Sequence, residues 1–204
     1  SRRFVLIDED GFDLPAAKTS VSWLDADTLY VGTDTGPGST TTSSYPAQVR
    51  RLSRGQELAE APVVFSVPAD HIQAWVGRDH TEGFERTVAV DAIDFFRSRT
   101  SLLDEARGGE PVLVDVPETV EADPHRQWLL LRPQETWGDY APGTLLVWTP
   151  AEGIGLEDDG LATLLELLAE TAAEGGTPRL AVLVSSAAVV RARSATVRSA
   201  AAAS

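Results

Sequence analysis

The chain has 204 residues, 43% of them apolar and 24% charged, with a net charge of −14 and neither cysteine nor methionine. That apolar content can build one substantial core, and the lack of cysteine excludes disulfides, thiolate nucleophiles and zinc–thiolate centres. The acidic surplus repels a phosphate backbone and argues against nucleic acid as a partner.

The charge is unevenly placed. All 31 acidic residues lie at or before Glu174, and beyond it only Arg179, Arg191, Arg193 and Arg198 are charged. No stretch reaches the ~18 apolar residues of a membrane span, and no secretory leader pattern opens the chain. A soluble, cytoplasmic protein without membrane partners is the expectation. The chain opens inside the apolar run Phe4-Val5-Leu6-Ile7 with no initiator methionine, which reads as an excerpt from a longer polypeptide or a processed product.

From Arg3 to Trp148, short apolar strands alternate with turn clusters at the spacing of about 8–12 residues expected of an all-β sandwich, barrel or propeller. Strands are predicted at Phe4 to Asp8, Ser20 to Leu24, Thr28 to Thr33, Gln48 to Leu52, Val63 to Val67 and Ile72 to Val76. Further ones follow at Arg86 to Val90, Ile93 to Arg97, Val112 to Val116, Trp128 to Arg132 and Leu145 to Thr149. Between the second and third, Asp25-Ala26-Asp27 is a turn whose carboxylates can bond their own backbone. Trp23, Trp75 and Trp128 are spaced by 52 and 53 residues, near the length of one four-stranded blade, which favours a propeller.

After Pro150 the pattern changes. Leu161, Leu164, Leu165 and Leu168 share one face of a helix predicted over Glu157 to Glu174, capped by Asp158 and Asp159 and stopped by Gly175-Gly176. Leu180 to Val184 reads as one buried strand, and Ala187 to Ser204 as a poorly ordered Ala/Ser/Arg tail. The expected organisation is therefore a partial β-propeller over 1–150, a helix plus short strand over 151–186, and a tail over 187–204.

The candidate chemistry is sparse. No G-x-S-x-G occurs; Gly36-Pro37-Gly38-Ser39 is the nearest approximation, but its spacing is wrong and its serine enters a Ser/Thr loop, so a surface turn is expected. His71 and His80 follow Asp70 and Asp79 in turns and lack the spacing of a metal site, which leaves them as solvated turn residues. Asp8-Glu9-Asp10 and Glu157-Asp158-Asp159 lack the order of a calcium loop. No cofactor, metal or catalytic residue is assigned. Arg50, Arg51 and Arg54 form a basic cluster in the acidic body, suited to a carboxylate but equally to a solvated strand edge.

Several ordered segments resemble a known family. SWLDADTLYVGTDTGPGS, Tyr45-Pro46, the Arg54-Gly55 turn and Val64-Phe65 are similar to the N-terminal β-propeller region of the prolyl oligopeptidase family of serine peptidases. His80 to Arg86, Val114-Asp115-Val116-Pro117 and His125-Arg126-Gln127-Trp128-Leu129-Leu130 extend the similarity in order. Two loop positions depart from the family pattern, Thr35 for an aromatic and Ser44 for a glycine, and the chain after Pro150 does not continue the propeller.

The resemblance implies about three blades of a seven-bladed propeller that gates small-peptide access to a separate α/β-hydrolase domain bearing the catalytic triad. The implied partners are that domain and short peptides. Arg50, Arg51, Arg54, His125 and Arg126 are the candidate interdomain or peptide contacts, and this chain alone is expected to be inactive. A second reading is a free-standing β-sheet module binding a peptide or protein by strand addition. A third holds that the residues after Pro150 are an α/β segment joined by a fusion or a change of reading frame.

Overall fold

A computed structural model describes residues 11–104, 109–126, 128–150 and 180–185. The predicted strand Phe4 to Asp8, the helix Glu157 to Glu174 and the tail lie outside them. The chain divides into two compact units, one comprising Ser1–His80, Glu85–Phe95 and Ser101–Val112, the other Thr81–Phe84, Phe96–Thr100 and Leu113–Ser204.

The strands form three four-stranded sheets, as expected of a partial propeller. β1 (Ser20–Asp25), β2 (Thr28–Gly32), β3 (Gln48–Ser53) and β4 (Val63–Ser66) follow one another in the first. β5 (Gln73–Asp79), β6 (Arg86–Ala92), β7 (Ser98–Asp104) and β8 (Glu110–Leu113) make the second. The third has the order β12-β11-β10-β9, from β9 (Val120–His125), β10 (Trp128–Pro133), β11 (Leu145–Pro150) and β12 (Leu180–Ser185).

In the first unit, the β1–β2 hairpin closes over Ala26-Asp27, where the Asp27 amide donates to the Asp25 carboxylate (2.9 Å), the self-bonded acidic turn expected of this sequence. Trp23 sits opposite Leu29 and Ser22 opposite Tyr30. Side chains alternate along a strand, so the first sheet has two unlike faces. One carries Tyr30 and Val49, which pack with Ala74, Val76, Ala89 and Leu103. The other carries Leu29, Val31 and Leu52, joined by Ala61 and covered by Phe12, Leu14 and Leu58. Phe12 meets the Trp23 ring edge-on at 5.8 Å. In the second unit, Val114, Val120, Leu129, Leu131 and Leu146 form one cluster, and Trp128, Leu130, Leu145 and Val147 another.

Three expectations need correction. Ile93 to Arg97 is a bend, with Phe95 and Phe96 90% and 78% exposed; the strand begins afterwards, at Ser98. β8 begins and ends earlier than Val112 to Val116. β9 is a strand where none was predicted. The tryptophan spacing also proves partly coincidental. Trp23 and Trp75 lie on the first strands of successive sheets, but Trp128 opens β10, the second strand of the third. The structural repeat is carried by the strand starts Ser20, Gln73 and Val120 instead.

A Cβ added at Gly77 would collide with the indole of Trp75 on the same strand. Only a glycine leaves room for that ring. Gly77→Ala is expected to displace the indole and cost about 1–3 kcal/mol, read as a lower urea midpoint, and to cost almost nothing when Trp75→Ala is already present. Equal losses in the two backgrounds would show that the contact does not restrain the strand.

Candidate functional site

The basic cluster resolves into separate roles. Arg50 lies on β3 beside Val31, where its Nη1 donates to the Ala61 carbonyl at 2.6 Å and, at 3.5 Å, to that of Ala59. It thereby ties the single 3-10 turn Leu58–Glu60 to the sheet, while its Nε is buried without a partner among the described residues. Arg54 clamps the neighbouring hairpin: Nε donates to Asp27 Oδ1 (2.9 Å), Nη2 to the Ala26 carbonyl (2.7 Å), and the guanidinium stands 4.8 Å from the Phe12 ring centroid. Arg51 projects to the other face of β3 and is exposed. Two of the three arginines are thus structural braces, and Arg51 is the exposed member.

His125 and Arg126 belong to the second unit. His125, at the end of β9, stacks on Trp128 across the hairpin, with ring centroids 6.1 Å apart and planes 10° apart. Its Nε2 is buried and unpartnered among the described residues, and Trp128 is only 3% exposed. Arg126 takes φ 49° in the turn that follows. The pair forms a hairpin corner in which the imidazole serves as a flat apolar surface.

Ser39 is a turn residue, as its surroundings in the sequence indicated. It is 3% exposed, accepts from the Thr35 amide at 2.9 Å, and directs its hydroxyl toward the Gly36 carbonyl (2.6 Å) and Asp34 (3.0 Å). An oxygen so occupied, with no histidine bonded to it among the described residues, is not an activated nucleophile. The loop it opens closes through Thr41, whose amide donates to the Tyr45 carbonyl (2.8 Å), and through Ser44 at φ 60°. That left-handed conformation is costly for a residue with a Cβ and natural for glycine.

His71 differs from a solvated turn residue. Its Nδ1 lies 2.6 Å from Asp91 Oδ1, both side chains largely buried. Thr41 Oγ1 holds the next carbonyl, that of Ile72, at 2.8 Å, and the Ile72 amide donates to Ala92. No hydroxyl is bonded to His71 among the described residues, so the pair fastens the turn before β5 to β6 and supplies no nucleophile. Sequence reading missed Asp91 because twenty residues separate it from His71; only the β5–β6 register, with Ala74 opposite Asp91, brings them together. His80 bonds the Trp23 carbonyl at 2.8 Å. Among the described residues no three His, Cys, Asp or Glu side chains converge as metal ligands.

Tyr140 packs on the Val114–Leu146 cluster with its hydroxyl buried and unpartnered among the described residues. Burial, and secondarily the Asp139 charge, raise its phenol above the usual tyrosine value, so it remains neutral through the physiological range.

These features define the described part of the chain as a run of propeller-type sheets whose polar side chains brace turns and hairpins. A stretch of 92 residues is 33% identical to an uncharacterised peptidase of Sinorhizobium fredii, covering 44% of this chain and 13% of that protein. The fold matches the structure of a post-proline cleaving enzyme from Rickettsia typhi with a TM-score of 0.56 at 18% identity, over 62% of this chain and 20% of that one. No protein-family model matches the chain. The structural likeness supports the propeller-type fold and the sequence likeness a resemblance to part of a peptidase, and the chain spans only a small part of either relative.

Because Arg50 closes a turn, its loss acts on stability. Arg50→Met, which keeps the apolar stem and removes the donors, is expected to lower the unfolding free energy by about 1–3 kcal/mol in urea titration. Arg50→Lys recovers only part of it, since a single ammonium does not reproduce the guanidinium fork. An unchanged midpoint in Arg50→Met would return Arg50 to the class of free surface contacts.

Proposed function

We propose that the chain is the propeller portion of a prolyl oligopeptidase-like serine peptidase and restricts entry of all but short peptides to an α/β-hydrolase domain carried elsewhere in the parent protein. The observation that carries this reading is the three successive four-stranded sheets, matched in fold to a post-proline cleaving enzyme, in a sequence without G-x-S-x-G. The likeness to a curated peptidase supports the same parentage. Short peptides and the hydrolase domain are the partners in this reading, and the cytoplasm is its location. Arg51 is the better placed of the β3 candidate contacts, since it is exposed whereas Arg50 and Arg54 are engaged in bracing.

The activity test has two arms. The purified chain, given a fluorogenic proline-containing peptide, is expected to show background cleavage alone; turnover abolished by a serine-directed inhibitor would overturn its assignment as non-catalytic. Grafted in place of the matching stretch of the Rickettsia typhi post-proline cleaving enzyme, it is expected to preserve that enzyme's ratio of kcat/KM between short and long proline-containing peptides. A chimera that remains active and folded but cleaves both equally would contradict the gating role.

A further inference from the structure

In β11, Leu145, Leu146 and Val147 are buried, 2%, 0% and 1% exposed. One of its edges pairs antiparallel with β10. The other carries β12, in unbroken register from Leu145 opposite Leu180 to Pro150 opposite Ser185, and this pairing is parallel. The β1–β2, β2–β3, β3–β4, β5–β6 and β9–β10 pairings are all antiparallel. β4 reaches its edge position from β3 through a short connection, whereas β12 reaches β11 across residues 151–179. That is more than the dozen or so residues a parallel return requires.

The outer strands of these sheets differ in how their edges are blunted. β8 contains Pro111 and β9 contains Pro124, each at the end of its sheet order. β1 is irregular between Trp23 and Asp25, and β4 meets a register shift between Val49 and Arg50. Prolines and bulges are common ways to spoil an edge for pairing. β11 has neither before its last residue: Leu145-Leu146-Val147-Trp148-Thr149 is uncharged, apolar and β-prone, the composition that pairs readily with another chain.

We infer that Leu180–Ser185 is an intramolecular edge cover, a strand returned over a long connection that occupies the free edge of β11 and keeps it from pairing with a second copy of the protein. Two uncovered β11 edges can pair antiparallel about a two-fold axis, which closes the association at a dimer. The parallel direction of β12 fits a strand that returns over a long connection instead of continuing the antiparallel β9–β10–β11 meander, and it is held to the sheet by one ladder alone.

The test disables the cover by backbone chemistry. In a parallel ladder successive amides point to opposite sides, so the double substitution Val182→Pro and Leu183→Pro removes a bond to β11 whichever amide faces it. The full-length chain is expected to sediment as a monomer and the double variant, like a chain ending at Pro150, as a dimer of about twice the mass. Hydrogen exchange of the unsubstituted chain provides a second readout that needs no variant: the amides of 145–149 and 180–185 on the shared ladder should be protected and open together. Monomeric variants with β11 still protected, or unprotected amides throughout 180–185 in the unsubstituted chain, would overturn the inference.

Discussion

The packing of Tyr30 and Val49 against Ala74, Val76 and Ala89 is the constraint on which the first unit depends. Alanines on β5 and β6 let the first sheet approach closely while Tyr30 fills the space between. With a side-chain period of two, this choice also decides where the large residues go. Trp75 lies between Ala74 and Val76 and must face away from that core; Trp23 lies on the face opposite Tyr30. Both tryptophans are consequently part-exposed, 51% for Trp23 and 37% for Trp75. The bare backbone at Gly77 is a secondary consequence, since the indole of Trp75 has to rest on its own strand.

The first sheet was readable because its local signals agree. β-branched and aromatic residues alternate, and an acidic turn bonds its own amide. Legibility fails where strands carry polar or proline residues for reasons of position. β7 buries Thr100 and Ser101 and so lacks an apolar stripe. β9 reads VEADPH, which resembles a loop, and tolerates Pro124 because it is an edge strand. Conversely, Phe95-Phe96 has strand composition and stands at an exposed bend. Ser44 was visible as a departure from a family glycine, and its positive φ explains why glycine suits that place.

The candidate site was less legible than the fold. Three arginines within five residues suggest one basic patch, yet alternation along β3 sends Arg50 and Arg51 to opposite faces, and Arg54 lies on the turn beyond the strand. Their roles depend on carbonyls at Ala26, Ala59 and Ala61, which no side-chain pattern announces. The His71–Asp91 pair is likewise a product of strand register. These polar groups are largely spent on holding turns and hairpins.

Face-to-face packing of the first two hairpin systems holds the first unit together, and side-chain NMR tests that packing directly. Nuclear Overhauser effects are expected from the Tyr30 ring and Val49 methyls to the methyls of Ala74, Val76 and Ala89, together with cross-strand Hα or amide contacts between Trp23 and Leu29 and between Trp75 and Val90. Intact hairpin contacts without any effect linking the Tyr30–Val49 group to the Ala74–Val76–Ala89 group would contradict the stacked-sheet arrangement from which the propeller assignment follows.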